Sequence, residues 1–266
     1  MKLVAIGAKL WLAGLRGGLQ YRTDTLIVIV MALFFQGTGF AFAWVVLSRF
    51  EAIAGWGLGE IAFLYGLRLT IHAVAGVLAG PFFGLEWQVR SGAFDRYLVR
   101  PVPPLLQFMT QSVQISVVGD LLGGLAIFAA ANALTDLAWT PASVAYLGLA
   151  IIGGALVQLA IRILIGAITF RWQTSQSFMF LSDGVVSTYG NYPLTIFGSV
   201  LGFLLTFLVP IAFVAYFPAT VLLERTDELQ VSPIFAFAAP LAGVVWLATA
   251  VLVFNRELGQ YQSSGS

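Results

Sequence analysis

The sequence predicts an all-α polytopic membrane protein with six transmembrane helices, preceded by an amphipathic helix at the membrane interface. Hydrophobic residues make up 59% of its 266 residues and charged residues only 9%, whereas a soluble domain usually carries about 25% charge. The mean hydropathy of the chain is correspondingly high, at +0.93. Six apolar runs are each long enough to cross about 30 Å of hydrocarbon as a helix. They lie at about residues 25–47, 58–83, 105–131, 142–170, 194–217 and 233–254.

The segment 1–22, ahead of the first span, has the pattern of an amphipathic helix. Lys2, Lys9 and Arg16 recur every seven residues and therefore share one helical face. Apolar side chains cover much of the rest, and Trp11 is expected near the level of the lipid headgroups. The pattern favours a helix that lies in the cytoplasmic membrane interface. A signal peptide is the alternative, but Arg16 interrupts the apolar core that such a peptide needs.

The six spans belong to one domain. No change in composition marks a second domain, so residues 1–262 are predicted to form a single transmembrane domain. Residues 263–266 are expected to be a remnant of protein expression and no part of the fold. The longest polar interval, residues 172–192, is too short to fold alone. Any energy input beyond an ion gradient is therefore expected to come from a partner.

The composition excludes several kinds of chemistry. The chain has no cysteine, which excludes disulfides and thiolate nucleophiles. Its one histidine is His72, so a multi-histidine metal site is excluded within one chain. The lysines are Lys2 and Lys9, which leaves no lysine for a phosphate-binding Walker A loop further along the chain. We therefore expect no catalytic site, no metal site and no cofactor bound by this chain.

The basic residues of the loops predict the orientation. One side would hold nine of them and the opposite side two, which places both termini in the cytoplasm of a cell membrane, inner or plasma. Six spans return the chain to its starting side, in agreement with this count. The first group is Lys2, Lys9, Arg16, Arg22, Arg90, Arg96, Arg100, Arg171 and Arg256, and the second is Arg49 and Arg225.

The loop at residues 86–104 carries an unusual density of charge and proline. It reads EWQVRSGAFDRYLVRPVPP, and the spacing of Arg90, Phe94 and Tyr97 places them on one face of a short helix. The prolines would end that helix and stiffen the entry into the next span. Such a loop suits docking to a soluble partner, although its arginines could serve only as topology determinants and lipid-headgroup contacts. The candidate coupling residues are Glu86, Arg90, Phe94, Asp95, Arg96, Tyr97 and Arg100.

Two stretches resemble the ABC-2 family of exporter permeases, in its branch with a Gly-x-x-Asp-x-x-Leu-x-Arg-Pro cytoplasmic loop. The first stretch matches this pattern in register at Gly92, Asp95, Leu98, Arg100 and Pro101. The second stretch resembles the Tyr-Pro entry and the Pro…Tyr-x-Pro-Ala exit of the same branch. It matches at Tyr192, Pro193, Pro210, Tyr216, Pro218 and Ala219.

The resemblance implies a transport subunit that works with other chains. In this family the first cytoplasmic loop forms a coupling helix, seated in a groove of a separate ATPase subunit. The expected partners are ABC ATPase subunits, which would bind ATP and Mg, a second permease copy or a related permease, and the lipid bilayer. No nucleic-acid partner is expected. The function implied is efflux through a membrane-spanning permease.

The segment after the fifth span is predicted to be re-entrant. The apolar run at residues 219–223 ends at charged residues and is too short to cross the bilayer. By the family resemblance, the segment marked by Pro210, Tyr216 and Pro218 would dip into the outer leaflet and return. Irregular backbone at that depth has to be covered by protein or by a wet cavity. A plain outer loop with an interfacial stretch is the alternative.

Four ionisable residues, Arg68, His72, Asp120 and Arg162, lie well inside the predicted spans, away from their outer ends. Arg68 and Asp120 lie at similar depths in two consecutive spans, about 24 and 22 Å from their cytoplasmic ends at 1.5 Å per residue. Since an isolated charge near the bilayer centre is costly, we expect them to form a salt bridge or a water-bridged network. Alternatively, each reaches the outer interface separately. His72 is expected to be neutral, and Arg162 to reach the cytoplasmic interface along its flexible stem.

A second function class fits a polytopic membrane protein of this size. An ion-driven secondary transporter would need no ATPase, but the chain has no evident inverted repeat and few intramembrane acids. An intramembrane enzyme would lack most of the usual nucleophiles and metal ligands. The sequence does not specify a substrate.

The orientation can be tested with an introduced cysteine, because the chain has none of its own. A Thr226→Cys variant should react with a membrane-impermeant thiol reagent in intact cells, since the charged segment around it is predicted to face outward. Labelling that appears only after the cells are permeabilised would contradict the orientation.

Overall fold

A computed structural model describes residues 2–49, 52–135 and 137–262. The expectation for residues 263–266 lies outside this part of the chain. All regular elements in the described ranges are helices. The α-helices are α1 (Lys2–Gly18), α2 (Arg22–Arg49), α3 (Leu58–Ala79), α4 (Leu85–Arg90), α5 (Pro104–Thr110), α6 (Ser116–Leu134), α7 (Pro141–Trp172), α8 (Gln176–Tyr189), α9 (Gly198–Phe203), α10 (Tyr216–Leu222), α11 (Ile234–Phe237) and α12 (Ala239–Leu258).

Five of these helical segments are long and apolar enough to cross a membrane. They are α2, the continuous segment Leu58–Arg90, α6, α7 and α12. A sixth span results if α8 and the segment Leu194–Leu208 are counted as one broken helix, bent by 109°. The all-helical polytopic membrane fold is therefore confirmed, with five spans or six.

The first, second and fourth predicted spans correspond to single helices. They are α2, α3 and α7, and each runs close to the predicted limits. The start of α7 shows why its limit is sharp, since the Thr140 hydroxyl accepts a hydrogen bond from the backbone N–H of Ser143 at 3.1 Å. Pro141 occupies the first turn, where its missing N–H costs nothing.

The third predicted span, 105–131, is wrong at its start. The chain forms the short helix α5, breaks at residues 111–115, and begins the spanning helix α6 only at Ser116. Polar side chains at and before the break explain the interruption, because they bond outside their own helix. Gln107, for example, donates to the backbone carbonyls of Tyr97 and Val102.

The fifth predicted span, 194–217, is also wrong. The polar interval before it contains the 14-residue helix α8, which forms the first half of a broken segment. The second half ends in a π-helical turn at Leu204–Leu208, ahead of the break at Pro210. The sequence analysis counted residues 172–192 as a polar interval outside the spans, but Asp183 in this interval pairs with Arg162 of α7.

The sixth predicted span, 233–254, begins later than expected. A short helix, α11, precedes the long helix α12, and Pro240 lies in the first turn of α12. Proline is well tolerated there but not in a helix interior, so it sets the point where the long helix begins. The spanning helix extends past the predicted end, to Leu258.

The helices differ greatly in burial. Helix α3 lies at the centre, packed against α6 and α7, and most of its side chains are buried. Helix α2 buries only Ala43 and Leu47 among its own side chains and leaves large apolar groups such as Phe34 exposed. Exposed apolar side chains on a spanning helix are those available to lipid or to another membrane protein.

Helix α1 confirms the predicted N-terminal helix and packs against α5 and the break that follows it. Three glycines allow this close approach. A Cβ atom at Gly14 would lie 3.0 Å from the Gln111 carbonyl oxygen, and one at Gly7 or Gly18 would crowd side chains of the same region. The position of α1 at a membrane interface stays a prediction.

At the N-terminal end of α3, the Arg225 side chain contacts three parts of the chain. Its guanidinium contacts the carboxylates of Glu60 at 2.6 Å and Glu228 at 2.7 Å. It also donates to the Gly55 carbonyl oxygen at 2.8 Å and lies 5.4 Å from the ring centroid of Trp56. The buried indole of Trp56 donates to Glu228 at 2.9 Å. This cluster, the Arg225 clamp, fixes the α2–α3 loop to the segment after α10.

Removal of the Arg225 charge should destabilise the fold. In Arg225→Met, two carboxylates lose their cation, and we expect a loss of about 1–3 kcal/mol and a lower midpoint of thermal unfolding in detergent. The matched control is Arg49→Met, because Arg49 is an exposed arginine at the end of α2. Equal shifts of the midpoint in the two variants would show that the clamp has no special role.

Candidate coupling segment and buried polar residues

The predicted coupling loop, residues 86–104, folds into two short helices separated by a turn. Helix α4 ends at Arg90, and the 3-10 helix Ala93–Tyr97 begins two residues later. Between them Gly92 has φ 71°, in the left-handed region that favours glycine. Since this turn separates the two helices, Arg90 does not share a helical face with Phe94 and Tyr97 as the spacing predicted. Arg90 is exposed, whereas the two aromatic side chains are buried.

Phe94 lies at the centre of an aromatic cluster. Its side chain is 0% exposed, so the prediction that it contacts a partner as a coupling residue is wrong in this structure. Phe94 instead anchors the segment to its own bundle, where edge and tilted ring contacts stabilise it. The neighbouring ring centroids are those of Phe170 at 5.1 Å, Tyr97 at 5.3 Å, Phe108 at 6.0 Å and Tyr261 at 6.0 Å.

Arg96 and Tyr97 connect the segment to the break between α5 and α6. The Tyr97 hydroxyl donates to the Gln111 side-chain oxygen, which also accepts a hydrogen bond from Arg96 at 3.2 Å. The Arg96 guanidinium lies 4.9 Å from the Tyr97 ring centroid. Both predicted coupling residues are thus engaged within the chain, although the Arg96 side chain remains exposed.

Glu86 connects the coupling segment to helix α8. Its carboxylate accepts hydrogen bonds from the backbone N–H groups of Ser175 and Gln176, each at 2.8 Å. It also contacts Arg90 at 3.4 Å. A carboxylate at a helix N-terminus satisfies backbone donors that have no partner within the helix. Glu86 therefore fixes the start of the broken segment relative to the coupling segment. Asp95 accepts a hydrogen bond from the Tyr261 hydroxyl at 3.0 Å.

The outer surface of the coupling segment presents a second set of side chains. We call Trp87, Arg90, Leu98, Val99 and Arg100 the exposed strip, since all five are exposed to solvent. Val99 is 84% exposed and Trp87 69%. The sequence prediction included Arg90 and Arg100 but missed the three apolar members. Trp87, Leu98 and Val99 could have been recognised as the apolar residues of this segment that are not part of the buried aromatic cluster.

The predicted re-entrant segment lies inside the bundle. Pro210 follows the break, and every residue from 210 to 220 is buried. The helices Ile211–Phe213 and α10 are too short to cross a bilayer. Tyr216 stacks near Trp56 with ring centroids 5.9 Å apart, and Pro218 lies in α10. The irregular backbone is thus covered by protein, and its entry from the outer leaflet stays a prediction.

The structure gives Arg68 and Asp120 different partners. The Arg68 Nε donates to the Asn191 side-chain oxygen at 2.5 Å, and its guanidinium lies 5.3 Å from the Tyr65 ring centroid. Asp120 accepts a hydrogen bond from the Gln36 side-chain amide at 2.8 Å. The predicted direct ion pair between Arg68 and Asp120 is therefore wrong in this structure, since each is hydrogen-bonded to a side-chain amide instead. A water-bridged network between the two stays a prediction.

The ion pair inside the bundle is formed by Arg162 and Asp183. The guanidinium of Arg162, on α7, is bound directly to the Asp183 carboxylate on α8. Arg162 is buried and was expected to extend to the interface, so this expectation is wrong. Sequence reasoning missed Asp183 because it lies in the polar interval 172–192, outside the predicted spans. His72 Nδ1 lies 3.0 Å from the Gln158 side-chain oxygen, also between two helices.

Comparison with known protein families decides the assignment. Residues 33–265 match the family described as ABC-2 family transporter protein. The chain belongs to this family. No curated protein and no solved structure gives a significant match. The family resemblance seen in the sequence is thereby confirmed, while the particular branch with the Gly-x-x-Asp-x-x-Leu-x-Arg-Pro loop stays a prediction.

The ABC-2 family consists of membrane components of transporters, and the chain has the several apolar helices of a multi-pass membrane protein. Within the described residues, no group of three or more His, Asp or Glu side chains is placed to hold a metal ion. The polar side chains of this transporter protein instead bond to each other between helices.

The Arg162–Asp183 pair should couple α7 to α8 energetically. In a double-mutant cycle of Arg162→Met and Asp183→Leu, each single change leaves one charge without its partner, the buried Arg162 or the half-buried Asp183. We therefore expect the double variant to lose less than the sum of the two, by about 0.5–3 kcal/mol. The free energy of unfolding can be followed by titrating mixed micelles with a denaturing detergent.

A matched cycle provides the control for this prediction. It combines Asp183→Leu with Arg171→Met, since Arg171 is an exposed arginine near the end of the same helix. These two changes should be additive to within about 0.5 kcal/mol. Additive losses in the Arg162 cycle as well would contradict the coupling.

Proposed function

We propose that this chain is the membrane-spanning permease subunit of an ATP-binding-cassette exporter. It forms the translocation pathway and couples to separate ABC ATPase subunits, which bind ATP and Mg. It lies in the cell membrane with both termini in the cytoplasm, and it works as a pair with a second copy or with a related permease. Membership of the ABC-2 family and the multi-pass helical fold support this proposal.

The observation that carries the coupling role is the construction of the segment 86–104. Its inner side is fixed to the bundle by Phe94 and Tyr97, and its outer side carries the exposed strip of apolar and cationic side chains. Aromatic, aliphatic and arginine side chains of this kind are typical contact residues of protein interfaces. Because its buried side chains hold the segment rigidly on the bundle, the segment would transmit the movement of a docked partner to the helices that the segment contacts.

The links of this segment define where such a movement would go. Glu86 bonds to the N-terminus of α8, so a displacement of α4 would shift the broken segment directly. Arg96 and Tyr97 bond to Gln111, at the break that leads into α6. The same ATPase contact would therefore reach two of the spanning segments.

The pairing with another permease rests on the burial pattern. Helix α2 packs mainly against α6 and exposes most of its apolar surface. A second permease would cover part of this surface and enclose the pathway between the two chains.

The coupling proposal predicts that changes on the exposed strip separate the permease from its ATPase. Val99→Asp and Arg100→Glu should each reduce the amount of ABC ATPase that co-purifies with the chain from its native membranes. Together they should reduce it by about tenfold or more, since interface residues of this kind contribute about 1–2 kcal/mol each. Arg171→Glu is the matched control, because it reverses an exposed charge outside the segment, on the same predicted side.

The outcomes separate the competing roles of the segment. Undiminished co-purification in the double variant, with an intact fold, would assign the arginines to lipid contacts and contradict the coupling role. Transport by the purified chain in vesicles with an ion gradient and no ATPase would favour the secondary transporter.

A further inference from the structure

A cavity of about 620 Å³ lies between α2, α3 and α8. This volume is in the range that holds drug-sized ligands. One part of its wall is aromatic, formed by Phe35, Phe42 and Tyr65. Another part is polar and centres on Arg68 and Asn191. The cavity therefore offers an apolar region and a hydrogen-bonding region to the same occupant.

Arg68 brings a positive charge to this wall without a carboxylate beside it. The side chain is only 3% exposed, and within the described residues no Asp or Glu oxygen lies within 4.0 Å of it. Its neighbours are the Asn191 side-chain oxygen and the Tyr65 ring, both uncharged. A buried arginine that binds only neutral groups keeps most of its five donors available, and its charge is costly to bury uncompensated.

The two carboxylates near the cavity bond to other side chains and not to Arg68. Asp183 also lines the wall, but its carboxylate is bound by Arg162. Asp120 lines a different, smaller cavity of about 80 Å³ and accepts a hydrogen bond from Gln36. The four charged side chains of this region, Arg68, Asp120, Arg162 and Asp183, sum to zero, but neither carboxylate contacts the Arg68 guanidinium.

Asn191 is oriented to support Arg68. Its side-chain amide donates to the Ser187 backbone carbonyl, one turn earlier on α8, and its oxygen accepts from Arg68. This fixes the Arg68 Nε at the bend between α8 and the rest of the broken segment. The remaining guanidinium donors are then held at one place on the cavity wall, as in a preformed binding site.

We propose that this cavity binds an anionic amphiphile, with its acidic group on Arg68 and its apolar part along Phe35, Phe42 and Tyr65. The volume and the aromatic wall argue against a small inorganic anion, because such an ion would leave the apolar wall without a partner. The acidic group can belong to an exported compound or to an anionic lipid of the bilayer. As an assignment of the transported class, the inference rests on the proposed transport function, whereas the binding itself does not.

The binding can be measured on the full chain alone, purified in nanodiscs of phosphatidylcholine. The probe is 11-(dansylamino)undecanoic acid, whose fluorescence increases in an apolar site, and the comparison probe carries a trimethylammonium group on the same dansyl-undecyl chain. After subtraction of empty nanodiscs, the acid should bind at least about tenfold more tightly than the cation, as expected for one charged hydrogen-bond group.

Four variants assign the site. Arg68→Gln should weaken binding of the acid by about tenfold or more, and Arg171→Gln, the same change on an exposed arginine, should leave it unchanged. Gly184→Leu should also weaken binding, because Gly184 lines the cavity and a Cβ atom there meets no other atom within 4 Å. This last variant keeps Arg68 and adds a good helix former to α8. If Arg68→Gln does not fold, the Gly184→Leu variant therefore tests the site in its place. Arg68→Lys keeps the positive charge and is expected to retain the preference for the acid.

The results that overturn the proposal are specific. Equal affinity for the two probes, or unchanged binding of the acid in folded Arg68→Gln, would exclude an anion site at Arg68. Unchanged binding in Gly184→Leu would exclude this cavity. Addition of phosphatidylglycerol to the nanodiscs distinguishes the two sources of the acidic group. Competition with the probe identifies an anionic lipid as the occupant, and a lack of competition identifies an exported amphiphile. Because no ATPase is present, failure of the binding is distinct from failure of ATPase coupling.

Discussion

Every charge inside this apolar bundle is held by a polar group on another element, and this constraint arranges the helices. Arg162 binds Asp183, which sets α8 against α7. Asp120 and Gln36 join α6 to α2, and the contact between Arg68 and Asn191 joins α3 to the bend after α8. In a medium without water such groups have few alternatives, so each pair selects one packing of two helices. Arg68 differs from the others because its close partners are uncharged, and it lies where the helices leave a cavity.

The coupling segment depends on the same bundle for its shape. Phe94 and Tyr97 fill an aromatic cluster with residues of α5 and α7, so the segment is a fixed part of the fold with its own buried base. Glu86 extends this connection to α8 through two backbone hydrogen bonds. The bend after α8 in turn carries Asn191, the partner of Arg68. One continuous path of contacts therefore leads from the exposed strip to the charged wall of the cavity.

Much of this arrangement could be predicted from the sequence, because hydropathy determines which segments enter a membrane. Helices α2, α3 and α7 follow the predicted runs closely, and the family resemblance was correct. The two errors in the predicted spans share one cause. The break before α6 and the packing of α8 against α7 depend on polar side chains that bond to residues distant in the sequence. Gln111 and Asp183 are examples, and a pattern of single residues does not reveal such partners. Phe94 was assigned to a docking surface for a different reason. The residue spacing predicted one helix, whereas the turn at Gly92 interrupts it and the Phe94 ring lies in the core.

Site-specific photo-crosslinking from the exposed strip tests the central claim most directly. A benzoylphenylalanine in place of Val99 lies on the outer surface of the coupling segment, whereas one at Trp172 lies on another exposed position at the end of α7. On illumination of native membranes, the Val99 position should yield an adduct with an ABC ATPase subunit, and the Trp172 position should yield much less. Adducts of equal yield from both positions, or none with an ATPase from Val99, would contradict a permease driven through this segment.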